Sequence, residues 1–160
     1  MKLRGFTLIE VVIVIAFLMT LLGLVLASSI NFRISTDVNS EVNKLITDIK
    51  NQQIKAMTGD TEGSLIVDSS GINFSQTKYT MFHGDTYTPA NPTNFDVELE
   101  SNLKIINTFP NNTIIFSLKS GEIASFTPGS DSITIQDAAN SVSRTIKLNK
   151  YGSITDFYKN

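Results

Sequence analysis

Cysteine is absent from this chain of 160 residues, and histidine occurs once. The absence of cysteine excludes disulfide bonds, thiolate metal sites and a lipid-modified cysteine anchor. The single histidine, His83, stands at the end of a predicted strand, where a surface or turn residue is far commoner than a catalytic one. The sequence also has no nucleophile elbow and no glycine-rich phosphate loop. We therefore expect neither enzymatic activity nor a bound cofactor.

Positive charge is also scarce, because 13 basic side chains stand against 15 acidic ones and the formal net charge is −2. This balance argues against a protein that mainly coats nucleic acid. A locally basic C-terminal stretch with Arg144, Lys147 and Lys150 supplies a candidate DNA contact. Basic residues on an exposed strand are ordinarily solvated and protect the edge of a sheet, so we place DNA binding second to that interpretation.

Acidic residues in predicted loops offer a candidate calcium site. The side chains of Asp85, Asp96, Asp131 and Asp137 carry suitable oxygen ligands, but they lack the spacing of an EF-hand loop. We therefore interpret them as solvated loop residues and predict no metal site.

A long apolar run dominates the N-terminal part of the chain. Between residues 11 and 27 only Thr20 and Gly23 interrupt the apolar residues. The 25 residues from 6 to 30 would form a helix of roughly 37 Å, which is long enough to cross a bilayer. Lys2 and Arg4 precede the run, so the positive-inside rule predicts a single pass through the cytoplasmic membrane with the N-terminus inside.

Glu10 is the one charged residue inside this run, and two plain interpretations leave it unexplained. The first is a secretory signal peptide cut after Ala27, and the second is a simple membrane anchor. A carboxylate costs about 2.5–3.5 kcal/mol at mid-bilayer and less near the edge. Its favourable interaction with the dipole at a helix N-terminus offsets about 0.3–1 kcal/mol of that cost.

A third interpretation accounts for Glu10. If the chain is cut between Gly5 and Phe6, a new α-amine appears four residues before the carboxylate. In a bundle of staggered copies, the amine of one subunit can then meet the Glu10 carboxylate of its neighbour. Pairing compensates for much of the desolvation of both charges, and it requires one particular register. Glu10 would therefore direct assembly.

The stretch Gly5-Phe6-Thr7-Leu8-Ile9-Glu10 resembles the class III signal of type IV pilins and type II secretion pseudopilins. The resemblance implies cleavage by prepilin peptidase, methylation of the Phe6 amine and packing of the apolar helix into a filament core. Many pilins carry a proline in the second half of this helix, whereas Gly23 is the one weak point here.

The helical pattern continues beyond the apolar run. Apolar residues recur at spacings of three to five, at Ile34, Val38, Val42, Leu45, Ile49 and Ile54 or Met57. Thr58-Gly59-Asp60 supplies a stop, so we predict one long helix. The alternative is two helices with a break near Ser28-Ser29. The predicted divisions are a leader (1–5), the membrane or filament-core half of the helix (6–30), its amphipathic half (31–58) and a β-rich head (59–160).

After Gly59 the apolar pattern has a period of two, which predicts an antiparallel head of two small sheets and an α+β fold of the pilin type. The predicted strands are Ser64–Asp68, Ile72–Gln76, Lys78–His83, Phe95–Glu100, Leu103–Asn107, Thr113–Leu118, Glu122–Phe126, Ser132–Gln136, Arg144–Leu148 and Ser153–Phe157. The stretch 85–94, which contains two prolines, is the expected exposed loop.

The last third of the chain carries a second, less specific resemblance. Ile114-Ile115-Phe116, Gly121, Ser132-Ile133-Thr134-Ile135, Arg144-Thr145-Ile146-Lys147-Leu148 and Gly152-Ser153-Ile154 are similar to the closing half of FimT/GspH-like minor pilins. Together the resemblances imply a minor pilin or pseudopilin in a type IV pilus-like filament for adhesion, motility, DNA uptake or secretion. The implied partners are other pilin subunits, prepilin peptidase, the inner-membrane assembly platform and a motor ATPase. The alternative is a secreted or membrane-anchored β-domain that binds a ligand without polymerising.

Overall fold

The computed structural model describes residues 7–60, 68–137, 139 and 141–159, and for residues 26–36 it describes the backbone alone. The chain divides into two compact units, Met1–Thr36 and Asp37–Asn160. Helix α1 (Leu8–Thr58) contributes to both units, and every described strand belongs to the second. Two antiparallel sheets follow the helix, so the α+β class predicted from the sequence is confirmed.

Helix α1 ends where the sequence predicts. Its backbone is helical through Ser28 and Ser29, where the alternative interpretation placed a break. Beyond its last residue, Gly59 has a left-handed backbone with φ of 68°. Asp60 N donates to Lys55 O at 3.0 Å across this turn. This is a Schellman ending, which glycine forms without steric strain.

The first sheet has the strand order β3-β2-β1-β5, and all its pairs are antiparallel. Its strands are β1 (Ser70–Phe74), β2 (Lys78–His83), β3 (Phe95–Glu98) and β5 (Thr113–Phe116). Strand β1 ends two residues earlier than predicted because Ser75 N donates to Lys78 O at 2.8 Å and closes a turn. The predicted bounds of β2 are confirmed.

The second sheet has the order β4-β6-β7-β8 and is also antiparallel. Its strands are β4 (Leu103–Asn107), β6 (Ser132–Asp137), β7 (Val142–Leu148) and β8 (Ile154–Lys159). A short 3-10 turn, Pro110–Asn112, precedes β5. Burial alternates along β6 and β7, as a sheet with one face on the core requires.

One hydrophobic core joins the second half of α1 to both sheets. Val38, Val42, Leu45 and Ile49 are fully or almost fully buried, at the spacing of one helix face. They pack with side chains from both sheets, among them Ile72, Phe74, Tyr79, Ile114, Phe116, Ile133, Ile135, Ile146 and Leu148. All of these residues lie within Asp37–Asn160, so this unit contains its own core.

The end of the apolar helix face differs from the prediction. Ile54 and Met57 are 55% and 50% exposed, whereas Gln52 and Ala56 are buried. Lys119 N donates to Ala56 O at 2.9 Å, so another segment of backbone approaches α1 closely at this point. A small side chain fits this approach, and the larger apolar residues of this turn remain partly in solvent.

The side chain of Gln53 links the C-terminal end of α1 by hydrogen bonds to turns next to both sheets. Its Nε2 donates to Gly121 O at 2.9 Å and to Tyr151 O at 2.7 Å. Gly121 belongs to the turn after β5, and Tyr151 to the turn between β7 and β8. A Cβ at Gly152 would lie 2.6 Å from Gln53 Nε2, so glycine is required there both for this approach and for its φ of 67°.

The prediction of a strand at Glu122–Phe126 is wrong. An isolated bridge from Ile123 to β5 is all that forms there. Ile123 N donates instead to Lys150 O next to the second sheet, and Ser125 has a left-handed φ of 55°, so the segment turns away. The predicted strand 64–68 lies, except for its last residue, outside the described residues.

We expect Ile49→Ala to destabilise a fragment of residues 37–160 by about 2–5 kcal/mol, because it removes a fully buried side chain and leaves a cavity. The same change at the half-exposed Ile54 should cost less than about 1 kcal/mol. Urea unfolding followed by circular dichroism measures both. Equal losses would contradict the packing of α1 described here.

Glu41 is an acidic residue buried on α1, with 9% of its surface exposed. Burial raises the pKa of its carboxyl above the ordinary value, attraction to Lys44 opposes the rise, and repulsion from Glu100 and Asp48 adds to it. Lys44 Nζ lies 3.8 Å from Glu41 Oε2. The ionised carboxylate therefore weakens the folded state.

We expect Glu41→Gln to raise the free energy of unfolding of residues 37–160 at pH 7 by about 1 kcal/mol. Urea unfolding measures this change. Because the folded-state pKa lies above the unfolded value of 4.5, the wild type loses stability as the pH rises through the folded-state pKa. The advantage of the variant should therefore disappear below pH 4.5. The exposed Glu98→Gln is the control, and an advantage of Glu41→Gln that is independent of pH would contradict this account.

Candidate functional site

The first unit presents an exposed apolar helix. Its segment Leu8–Val25 has a mean hydropathy of 2.8, and none of it is buried. Fourteen of its large apolar side chains are between 46% and 85% exposed. At about 1.5 Å per residue the segment extends for roughly 27 Å, close to the thickness of a bilayer core. By length and composition it is able to cross a membrane, and membrane anchors and signal sequences share these properties.

Glu10 lies in the first turn of α1 and is exposed. Its backbone N donates to Thr7 O at 3.1 Å and to Thr7 Oγ1 at 3.4 Å. Thr7 therefore caps the helix, and the two residues have the spacing of a capping box. Glu10 thus has a local structural setting in addition to the intermolecular role predicted from the sequence. The capping signature was present in the sequence, although the local explanation of Glu10 there used only the helix dipole.

Gly5 and Phe6, the predicted cleavage and methylation positions, lie outside the described residues. Only the carboxylate of the predicted amine–carboxylate pair is therefore placed by the structure. The described helix begins at Leu8, two residues after Phe6, so the predicted cut would fall one residue before the Thr7 N-cap.

The basic residues considered for DNA do not share one surface. Arg144 is buried, with its Nε donating to Asn39 Oδ1 at 2.9 Å and Nη1 to Ser143 O at 2.8 Å. Lys147 lies on the opposite face of β7, because successive side chains of a strand alternate. Lys150 pairs with Glu122 at 3.0 Å, which holds the pKa of its ammonium above the usual range. The arrangement gives DNA binding no support.

His83 stands opposite Ser70 in the β1–β2 pair, a neighbour that sequence reasoning did not find. His83 Nε2 and Ser70 Oγ are both buried and without a hydrogen-bond partner in the part of the chain that the structure describes. Since the two atoms do not bond to each other, they do not form a nucleophile–base pair in this conformation.

The four aspartates considered for calcium are dispersed. Asp96 pairs with Lys78 and accepts from Thr80 Oγ1, which together hold the pKa of its carboxyl below the usual range. Asp137 is buried and accepts from Ala139 N at 2.8 Å. Among residues 7–60, 68–137, 139 and 141–159 there is no group of three or more His, Cys, Asp or Glu side chains that could hold a metal ion.

A groove of about 350 Å³ lies on the face of the first sheet that points away from the core, and we call it the outer groove. Its floor includes Asn73 and Ile115, which alternate with core-facing residues along β1 and β5. Tyr87 contributes to one wall, and Ile123 and Phe126 contribute to the other. The sequence indicated an exposed loop at 85–94, but not that the loop would meet segment 123–126 across a sheet.

No protein-family model, curated protein or solved structure matches the chain.

We expect Arg144→Ala to destabilise residues 37–160 by about 1.5–3 kcal/mol, because it removes hydrogen bonds of a buried charged group. Lys150→Ala should change the stability much less than Arg144→Ala, since its ion pair is exposed to solvent. Urea unfolding measures both. A fully stable Arg144→Ala variant that had lost retention of DNA would restore the DNA hypothesis.

Proposed function

We propose that this chain is a minor pilin or pseudopilin, a structural subunit of a type IV pilus-like filament. The observation that carries the proposal is a single carboxylate, Glu10, in the first turn of α1, within the segment Leu8–Val25 that is otherwise uncharged and unburied. The preceding Gly5-Phe6 supplies the cleavage motif that the sequence resemblance requires. The α+β arrangement of helix and two antiparallel sheets is compatible with a pilin fold.

The exposed apolar segment would occupy two environments in succession. In the bilayer, Leu8–Val25 is surrounded by lipid chains, and its length matches the hydrocarbon core. In a filament, the same side chains would pack against the helices of neighbouring subunits and remain away from water. Transfer between the two requires extraction from the membrane, which we assign to a motor ATPase and an assembly platform.

Glu10 would select the register of assembly. Cleavage before Phe6 by prepilin peptidase creates an amine, and methylation leaves it cationic. When helices stack with the correct stagger, this cation lies beside the Glu10 carboxylate of the next subunit. Any other stagger leaves an uncompensated charge in an apolar bundle, which costs about 3–5 kcal/mol.

The remaining unit, Asp37–Asn160, would form the head exposed on the filament. Its β-rich C-terminal third resembles that of FimT/GspH-like minor pilins, so we assign it to priming of assembly or to the filament tip rather than to the shaft. The same pattern suits a pilus, a DNA-uptake pseudopilus and a secretion pseudopilus. Its partners are other pilin subunits.

A second candidate function is a secreted or membrane-tethered β-domain that binds a ligand and does not polymerise. It is favoured by one observation: an N-terminal apolar helix of this length also serves as a signal sequence or anchor. In that case the Glu10 carboxylate would serve only the helix N-terminus, through its interaction with the dipole.

The N-terminus of the exported protein separates these functions. We expect mass spectrometry of the membrane and filament fractions to find N-methyl-Phe6 as the first residue. Ser28 as the first residue would instead establish a secreted domain, and an intact Met1 would establish a simple anchor.

We further expect Glu10→Gln and Glu10→Val to retain membrane insertion and cleavage but to reduce incorporation into filaments about tenfold or more, because each leaves the amine unpaired. Thr7→Ala is the matched control, since it removes the cap and keeps the carboxylate. Immunoblots of sheared filaments measure incorporation. If Thr7→Ala lowered incorporation as much as Glu10→Gln, the effect would belong to helix capping and the assembly role would be lost.

A further inference from the structure

We infer that the outer groove binds a neutral saccharide. This inference stands on the groove alone, and it holds whether or not the chain enters a filament. A volume of about 350 Å³ lies within the usual range for small-molecule sites, at its lower end. The lining combines aromatic and aliphatic side chains with amides, hydroxyls and one carboxylate, and such mixed lining is typical of specific ligand sites.

The wall of the outer groove that contains Tyr87 is supported by Phe82. The ring of Tyr87 packs against that of Phe82, with centroids 5.3 Å apart and a tilt of 55°. Phe82 is itself buried and lies over Gly71, where a Cβ would approach its ring to 2.5 Å. Because Gly71 has no side chain, the Phe82 ring can lie directly against the backbone of β1. There it supports the ring of Tyr87. An anchored aromatic ring loses little conformational freedom when a ligand binds.

The second wall is fixed by the segment that turns away from β5. Ala124 N donates to Ile115 O at 2.8 Å, so the segment is tied to the edge of the sheet. Ile123 is almost fully buried, and Phe126 packs against the core. Ser125 between them has a left-handed backbone, which is a strained conformation for serine. Strained residues held by a well-packed surrounding structure cluster at ligand sites.

Polar groups face the same space. Asn73 Nδ2 donates to Thr113 Oγ1 at 2.8 Å, which fixes the plane of an amide that lines the groove. Asp85 adds an exposed carboxylate on the side of Tyr87. The described lining contains acceptors and apolar rings but no lysine or arginine. A sugar matches this composition, because its hydroxyls donate to acceptors and its C–H face packs on an aromatic ring.

Two other classes of ligand fit less well. Phosphate or carboxylate ligands need cationic partners, and the described lining of the groove offers a carboxylate instead. A peptide added as a strand would need the open edge of β5, but Ile115 O already accepts from Ala124 N there, and Ser117 N donates to Glu122 O. Recognition must therefore use side chains, as it does for small polyhydroxylated ligands.

The test uses the full chain in lauryldimethylamine oxide, because detergents with sugar head groups would compete. An array of neutral oligosaccharides of glucose, galactose, mannose and N-acetylglucosamine is the probe, with sialylated and sulfated glycans as the anionic arm. We expect retention on at least one neutral glycan. Tyr87→Ala should weaken that binding tenfold or more, measured by titration calorimetry with the retained oligosaccharide.

Tyr151→Ala is the matched control, since Tyr151 is 62% exposed and does not line the groove. Its binding should equal that of the wild type. Asp85→Asn, at an exposed position, gives a second measurement if Tyr87→Ala unfolds, and it too should weaken binding at least tenfold. Retention of no neutral glycan, retention of anionic glycans alone, or binding that is unchanged in the folded groove variants would each overturn the inference.

Discussion

The strongest physical constraint on this molecule is that the apolar segment Leu8–Val25 is unfavourable in water. Fourteen large apolar side chains on this segment are mostly exposed within the chain itself. Burying them elsewhere is favourable by on the order of 20 kcal/mol, which exceeds the stability of a typical domain. No packing of the remaining described residues supplies that burial, because none of the segment is covered. By length and composition the segment suits a lipid phase, as membrane anchors and signal sequences do.

The free-energy cost of the Glu10 charge depends on the apolar character of this segment. The Thr7 cap bonds the backbone N of Glu10 and not its carboxylate, so the carboxylate itself gains only the dipole interaction at the start of α1, about 0.3–1 kcal/mol. A carboxylate within a lipid phase or an apolar bundle costs more than this. The dipole thus explains why an acid is tolerated at a helix start exposed to water, but not why it stands in so apolar a segment. An intermolecular cation removes the discrepancy, which is why we prefer assembly to simple anchoring.

The sequence predicted the parts of this fold that follow from local periodicity. The end of α1 at Thr58, the bounds of β2 and β4, and the exposed loop at 85–94 were all foreseen, because turn residues and alternation mark them. Segment 122–126 has the composition of a strand, yet Ile123 N bonds to Lys150 O, a partner too distant in sequence for periodicity to reveal. For the same reason neither the role of Gln53 nor the outer groove could be read from the sequence. Glu10 was proposed as an assembly residue because its charge contrasts with the apolar residues around it.

In the second unit, the two faces of the first sheet have different surroundings. The core-facing side of the first sheet packs on α1, and the contacts of Gln53 hold the end of the helix against turns from both sheets. Asn73 and Ile115 line the outer groove on the other face of that sheet, and the groove also includes Phe109 and Ile123 of the core. Side chains on the two faces of a strand alternate, so substitutions at Asn73 and Ile115 should leave the packing of α1 largely unchanged. A surface of this kind can change its specificity while the helix continues to meet the demands of membrane and assembly.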